Sequence, residues 1–183
     1  MMYLIARFIA KYFFGNKYKL SVDIVDGQKC YVIHYDITSI EKFRENSQTL
    51  LSNVGYSAHF YAFNLVPVII IPKDDGHIDS KMLESMYWHE MGHFLAGDIK
   101  SVTKNKKYKN KIFVDQEMES RADKFSAERT GRKITPEFCT DYLIACIKAG
   151  NYSWSKYLTE NDYNEIRDTV VKEICNLYPE RFK

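Results

Sequence analysis

His89 and His93 flank Glu90 in the pentapeptide His89-Glu90-Met91-Gly92-His93. On an α-helix, residues four apart lie on one face, so both imidazoles can reach a common metal ion while Glu90 points beside it toward a water. The chemistry such a trio supports is metal-assisted hydrolysis with Glu90 as general base. A catalytic zinc takes three protein ligands and keeps its fourth position open, so two histidines are not enough. One extended form of the motif places a histidine six residues beyond the second, but Ile99 stands there and Asp98 misses the register.

Further along, acidic residues recur in helical period over Glu117-Met118-Glu119-Ser120-Arg121-Ala122-Asp123. Glu119 is read as the third ligand. Asp123, one turn later on the same face, is read as the carboxylate that accepts the other ring N–H of a ligating histidine, fixing its tautomer. Glu117 is the alternative ligand. Glu119 is preferred because it alone has Asp123 one turn beyond it.

The run Glu119-x-x-Ala122-Asp123, followed by Ala127 and Thr130-Gly131, resembles the glutamate helix of the gluzincins. It is similar both to the CAAX-protease and heat-shock-protease branch and to the small ImmA/IrrE-type metallopeptidases. The two motifs together occupy residues 89–131. The resemblance implies that His89, His93 and Glu119 bind one zinc ion, that Glu90 is the general base, and that the fold is a zincin-like α+β domain. Such a domain has a small mixed sheet, an active-site helix, a glutamate helix and C-terminal helices. This sequence departs from the pattern in two ways. The membrane-embedded branch carries long apolar spans that are absent here, and ImmA-type proteins commonly have asparagine where Asp123 stands.

Composition is that of one compact domain. The 183 residues are 45% hydrophobic and 27% charged, enough to bury a core. A net charge of +2 gives no general field for nucleic acid or membranes, so neither is expected as a partner. Fourteen tyrosines and eleven phenylalanines are read as core packing. Cys30, Cys139, Cys146 and Cys175 form no metal or disulfide spacing, and free thiols point to a reducing cytoplasm.

Residues 1–16 are apolar but interrupted by Arg7 and Lys11, one helical turn apart. A signal peptide carries its charge ahead of an unbroken apolar stretch, and a spanning helix needs about 20 apolar residues. The segment therefore reads as an amphipathic helix docked on the core, with a membrane surface as the second reading. Residues 17–131 form the catalytic core and residues 132–183 the C-terminal helices of the same domain.

Within the core, Tyr18–Val25 and Gln28–Tyr35 around Asp26-Gly27 carry a β-hairpin signal. Residues 37–52 show a mixed helical pattern. His59-Phe60-Tyr61-Ala62-Phe63 and residues 66–71 read as strands, with Pro67 barring regular central pairing at the start of the second. An edge strand beside a zinc helix binds extended substrate by main-chain pairing, and His59 to Phe63 is the candidate, with the neighbouring strand over residues 66–71 an equal alternative. Asp79 caps the zinc helix, Ile78 and Leu83 staple its start, and Gly97 ends it. Met82 and Met86 continue the stripe of the two histidines as a buried apolar face. The glutamate helix runs from about Asp115 and stops at Gly131. Another helix begins at Thr135-Pro136 with Phe138, Tyr142, Cys146 and Ala149 inward. The last follows Asn161 with Tyr163, Ile166, Val170, Ile174 and Leu177 in period.

Six of the twelve residues 100–111 are lysine, with no acid among them. Such a run is a solvated excursion or a basic lip over the cleft that steers an acidic partner or one bound to nucleic acid. The expected function is zinc-dependent hydrolysis of a protein or peptide substrate, in the form of site-specific cleavage of a regulatory protein. The alternative is a zinc-stabilised binding or regulatory module without turnover. Glu90 weighs against that alternative, because a purely structural site has no need of it.

Overall fold

The computed structural model describes residues 1–39, 58–62, 66–98, 115–150 and 152–183. The expected helical pattern of residues 40–52, Phe63 of the candidate substrate strand and the lysine-rich run lie outside the described residues.

The chain is α+β. Helix α1 (Met2–Phe14) leads into strands β1 (Tyr18–Val25) and β2 (Gln28–Tyr35), which form the expected antiparallel hairpin. Its turn pair, Asp26 at φ 49° and Gly27 at φ 75°, has two positive φ angles, as a type I′ hairpin turn requires. Strand β3 (Ala58–Ala62) pairs antiparallel with β4 (Val66–Pro72), and β4 runs parallel to β2. The sheet order β1-β2-β4-β3 places β3 at an edge. Pro67 pairs only toward β3, opposite Tyr61, and the ladder to β2 begins one residue later at Val68. The missing N–H thus costs no bond to β2.

Both faces of β2 and β4 are covered, and their buried residues form nearly continuous runs rather than an alternation. Helix α1 lies on the face of Tyr31 and Tyr35, with Phe14 stacked on Tyr35 at 5.1 Å. Helix α2 (Ser80–Ala96) lies on the other face, where its Tyr87 hydroxyl donates to Asp23 of β1 at 2.7 Å. Asp79 caps α2 by accepting the N–H groups of Lys81 and Met82, and Ile78 and Leu83 at its start are both buried. After α2 come α3 (Gln116–Thr130), α4 (Pro136–Ala149) and α5 (Glu160–Leu177). Asp115, Thr135 and Thr159 cap these three helices. No helix among the described residues is long and apolar enough to cross a membrane.

One expectation needs correction, the buried Met82 and Met86 stripe of α2, and two helices show burial that their sequence pattern did not specify. Helix α1 docks through Ala6, Ile9, Ala10 and Phe14, but Leu4 (65% exposed), Phe8 (63%) and Tyr12 (71%) form a second apolar row facing outward. In α2, Met82 and Met86 are only half-buried, whereas Ser85 is fully buried. The face beneath α3, rather than an apolar stripe, is the one most enclosed. In α5 the periodic stripe is buried at Tyr163, half-buried from Ile166 to Ile174, and exposed at Leu177, because the helix packs on α4 mainly through its first half. There Arg167 donates to both oxygens of Asp141 at 2.6 and 3.2 Å.

Candidate metal centre

The site arises where α2 and α3 cross closely. A Cβ placed on Gly92 would lie 3.1 Å from the Ala122 backbone and 3.3 Å from Phe125 Cβ, so the crossing depends on a glycine against an alanine. The buried Ser126 hydroxyl donates to the Ser85 carbonyl at 2.7 Å, and Arg132 bridges Ser85, the Lys81 carbonyl and Glu84. These ties bring the first turn of α3 over the last two turns of α2. Gly92→Ala tests the crossing. Helix propensity favours alanine by about 0.8–1.0 kcal/mol, while overpacking a tight contact costs about 1–3 kcal/mol. The expected result is a net loss of up to about 2 kcal/mol in denaturant unfolding, together with weaker metal binding. A more stable variant with intact metal affinity would show that the crossing accommodates a methyl group.

Three side chains converge at this crossing. His89 Nε2 lies 3.1 Å from His93 Nε2 and 3.4 Å from Glu119 Oε2, and His93 Nε2 lies 3.2 Å from Glu119 Oε1. Both histidines and the neighbouring Glu90 are buried. His93 Nδ1 donates to Asp98 at 2.9 Å, which leaves its Nε2 to carry the lone pair. Asp98 is in turn held by Arg121. His89 Nδ1 lies 2.8 Å from Asp123 Oδ1, but the oxygen stands off the N–H axis, so the contact is a close ion pair rather than a well-directed hydrogen bond.

Two imidazole lone pairs and a carboxylate facing one another form a set of acceptors, which is complementary to a cation. His89, His93 and Glu119 are the group among the described residues able to hold a metal ion. Without a metal, protons serve instead. Burial lowers the pKa of His93, but Asp98 and Glu119 outweigh it and raise the value to about 10. Burial likewise works against charge on His89, yet Asp123 and Glu119 carry its pKa upward. Burial would raise the Glu119 carboxyl, but the two histidines hold it far below the usual range. The charge of Glu90 acts on both histidines in the same upward sense.

Glu117, the alternative ligand, is exposed on the far side of the first turn of α3. The backbone of His59, Phe60, Tyr61 and Ala62 lies in the edge strand β3, against which α2 also packs. His34 is bonded to Ser21 at 3.2 Å, and His77 is exposed on the approach to α2. Two features escaped sequence reasoning. Asp98 follows Gly97, whose left-handed φ of 71° folds the chain back so that its carboxylate meets His93. The Gly97-Asp98 pair was the available signal. Arg181, beyond α5, reaches Asp123 and Glu119 together. No local pattern announces it.

Asp123→Ala is expected to weaken metal binding about 10- to 100-fold without removing a ligand, as losses behind a ligating histidine do. Competition with a chromophoric chelator measures this, and wild-type affinity would show that the 2.8 Å approach carries no weight. No family model, curated protein or solved structure matches the chain.

Proposed function

We propose that the protein is a zinc-dependent peptidase of the gluzincin type, and the observation that carries this reading is the spacing of the three donors. Donors at about 2.0–2.1 Å from a tetrahedral zinc stand about 3.3–3.4 Å apart. The 3.1 Å between the two Nε2 atoms and the 3.2 Å from His93 Nε2 to Glu119 Oε1 are close to that scale, and His89 Nε2 lies 3.4 Å from the second carboxylate oxygen, Oε2. Structural zinc sites close with four protein ligands, whereas here three ligand groups converge among the described residues. A set of three suits a zinc that keeps its fourth position for water or substrate.

When bound, zinc supplies the Lewis acidity that polarises a scissile carbonyl and acidifies water. Asp98 and Asp123 lie at the Nδ1 edges of the two imidazoles, which would leave both Nε2 atoms to hold the ion. Glu90, buried beside both ligands, takes a proton from the attacking water and returns it to the leaving amine. The outer edge of β3, which ends the sheet among the described residues, is where an extended peptide would pair, main chain to main chain. The resemblance to ImmA-type proteins extends the reading to site-specific cleavage of one regulatory protein in the cytoplasm.

The test is to incubate the zinc-loaded protein with a proteome-derived peptide library and identify new termini by mass spectrometry. Zinc-dependent cleavage at a restricted set of sites supports the peptidase. Stoichiometric zinc with no cleavage favours the non-catalytic binding module.

A further inference from the structure

The two histidines are backed by matching chains. His93 rests on Asp98 and Asp98 on Arg121; His89 rests on Asp123 and Asp123 on Arg181. The second chain goes further than the first. Arg181 Nε and Nη2 reach the two oxygens of Asp123 at 2.8 and 3.0 Å, while Nη1 reaches Glu119 Oε2 at 3.0 Å. Its side chain is only 13% exposed, against 53% for Arg121. The segment carrying it is anchored to the same helix, for the Glu180 N–H donates to Gln116 Oε1 at 2.9 Å in the first turn of α3. A rigid five-donor guanidinium can serve two carboxylates at once, which a lysine ammonium at the end of a flexible stem does poorly.

We infer that Arg181 is a positioning residue of the metal centre, orienting His89 through Asp123 and engaging Glu119 Oε2 so that Oε1 remains as the donor. This rests on the assignment of His89, His93 and Glu119 as ligands, and it adds a requirement that the three ligands alone do not express. Glu90, Asp98, Glu119 and Asp123 already crowd four carboxylates around the site. Removing a positive charge from such a place strengthens cation binding if charge alone matters. A positioning role predicts the opposite sign.

The experiment measures zinc affinity by chelator competition, and the visible spectrum of the cobalt(II)-substituted protein, for the full chain and for R181Q, R181K and R121Q. Under the inference, R181Q binds zinc about 10- to 100-fold more weakly, and its cobalt spectrum changes because Glu119 is released. R181K, which keeps the charge but not the fork, falls between R181Q and wild type. R121Q weakens binding and leaves the spectrum closer to wild type, since the ion pair of Arg121 is with Asp98, whereas Arg181 reaches Glu119 itself. Unchanged or tighter zinc binding in R181Q with an unchanged spectrum overturns the inference while leaving the ligand assignment intact. A wild-type chain that binds neither metal overturns the ligand assignment itself. If R181Q does not fold, R181K decides by the same two readouts, with an unaltered affinity and spectrum counting against the inference.

Discussion

Glu90→Gln is expected to abolish peptide hydrolysis while zinc content and fold stay as in wild type. Glutamine has the shape of glutamate and fills the same buried volume, but it cannot accept the proton of the attacking water. General acid and base contributions of this kind are worth about 10²- to 10⁴-fold in rate. Because Glu90 is buried and not among the three converging ligand groups, metal analysis should separate its role from coordination. Turnover at the wild-type rate in this variant, on any substrate the wild type cleaves, would exclude the proposed mechanism.

Removing a ligand is expected to act on metal content and stability together. A metal that binds only the folded chain stabilises it by about 2.7 kcal/mol at 100 times its dissociation constant and about 4.1 kcal/mol at 1,000 times. For a domain of this size that corresponds to a melting shift of roughly 5–16 °C on chelation. His93→Ala and Glu119→Ala should lose most of the zinc and show no chelator-dependent shift. Glu117→Ala should behave as wild type, since Glu117 is exposed on the opposite side of α3. Full zinc retention by Glu119→Ala would remove the third-ligand assignment.

What could be read in advance follows the range over which each interaction acts. The hairpin turn, the Asp79 and Asp115 caps and the Gly97 and Gly131 ends are set by residues a few positions apart, so spacing and residue type suffice to place them. The His89 and His93 pairing is local in the same sense, and Asp123 was reachable as one turn beyond Glu119. The position of β4 between β2 and β3 was not legible, because it depends on a parallel pairing across more than thirty residues. Nor was the burial of Ser85, which follows from α3 crossing above it. The outward apolar row of α1 has a related cause. A pattern of apolar residues on two sides of a helix does not say which side meets the sheet, and here the side of Ala6, Ile9, Ala10 and Phe14 does, leaving Leu4, Phe8 and Tyr12 outward.

Arg181 and Asp123 are 58 positions apart, and this distance has a meaning in time. A ribosome adds about 5–20 residues per second, so Asp123 is made about 3–12 s before the guanidinium that braces it, and the two histidines and Glu119 earlier still. During that interval the growing chain carries His89, His93 and Glu119, the group able to hold a metal ion, but lacks the fork on Glu119. Synthesis from the amino end thus gives the centre an order of assembly, in which the brace arrives after the parts it holds.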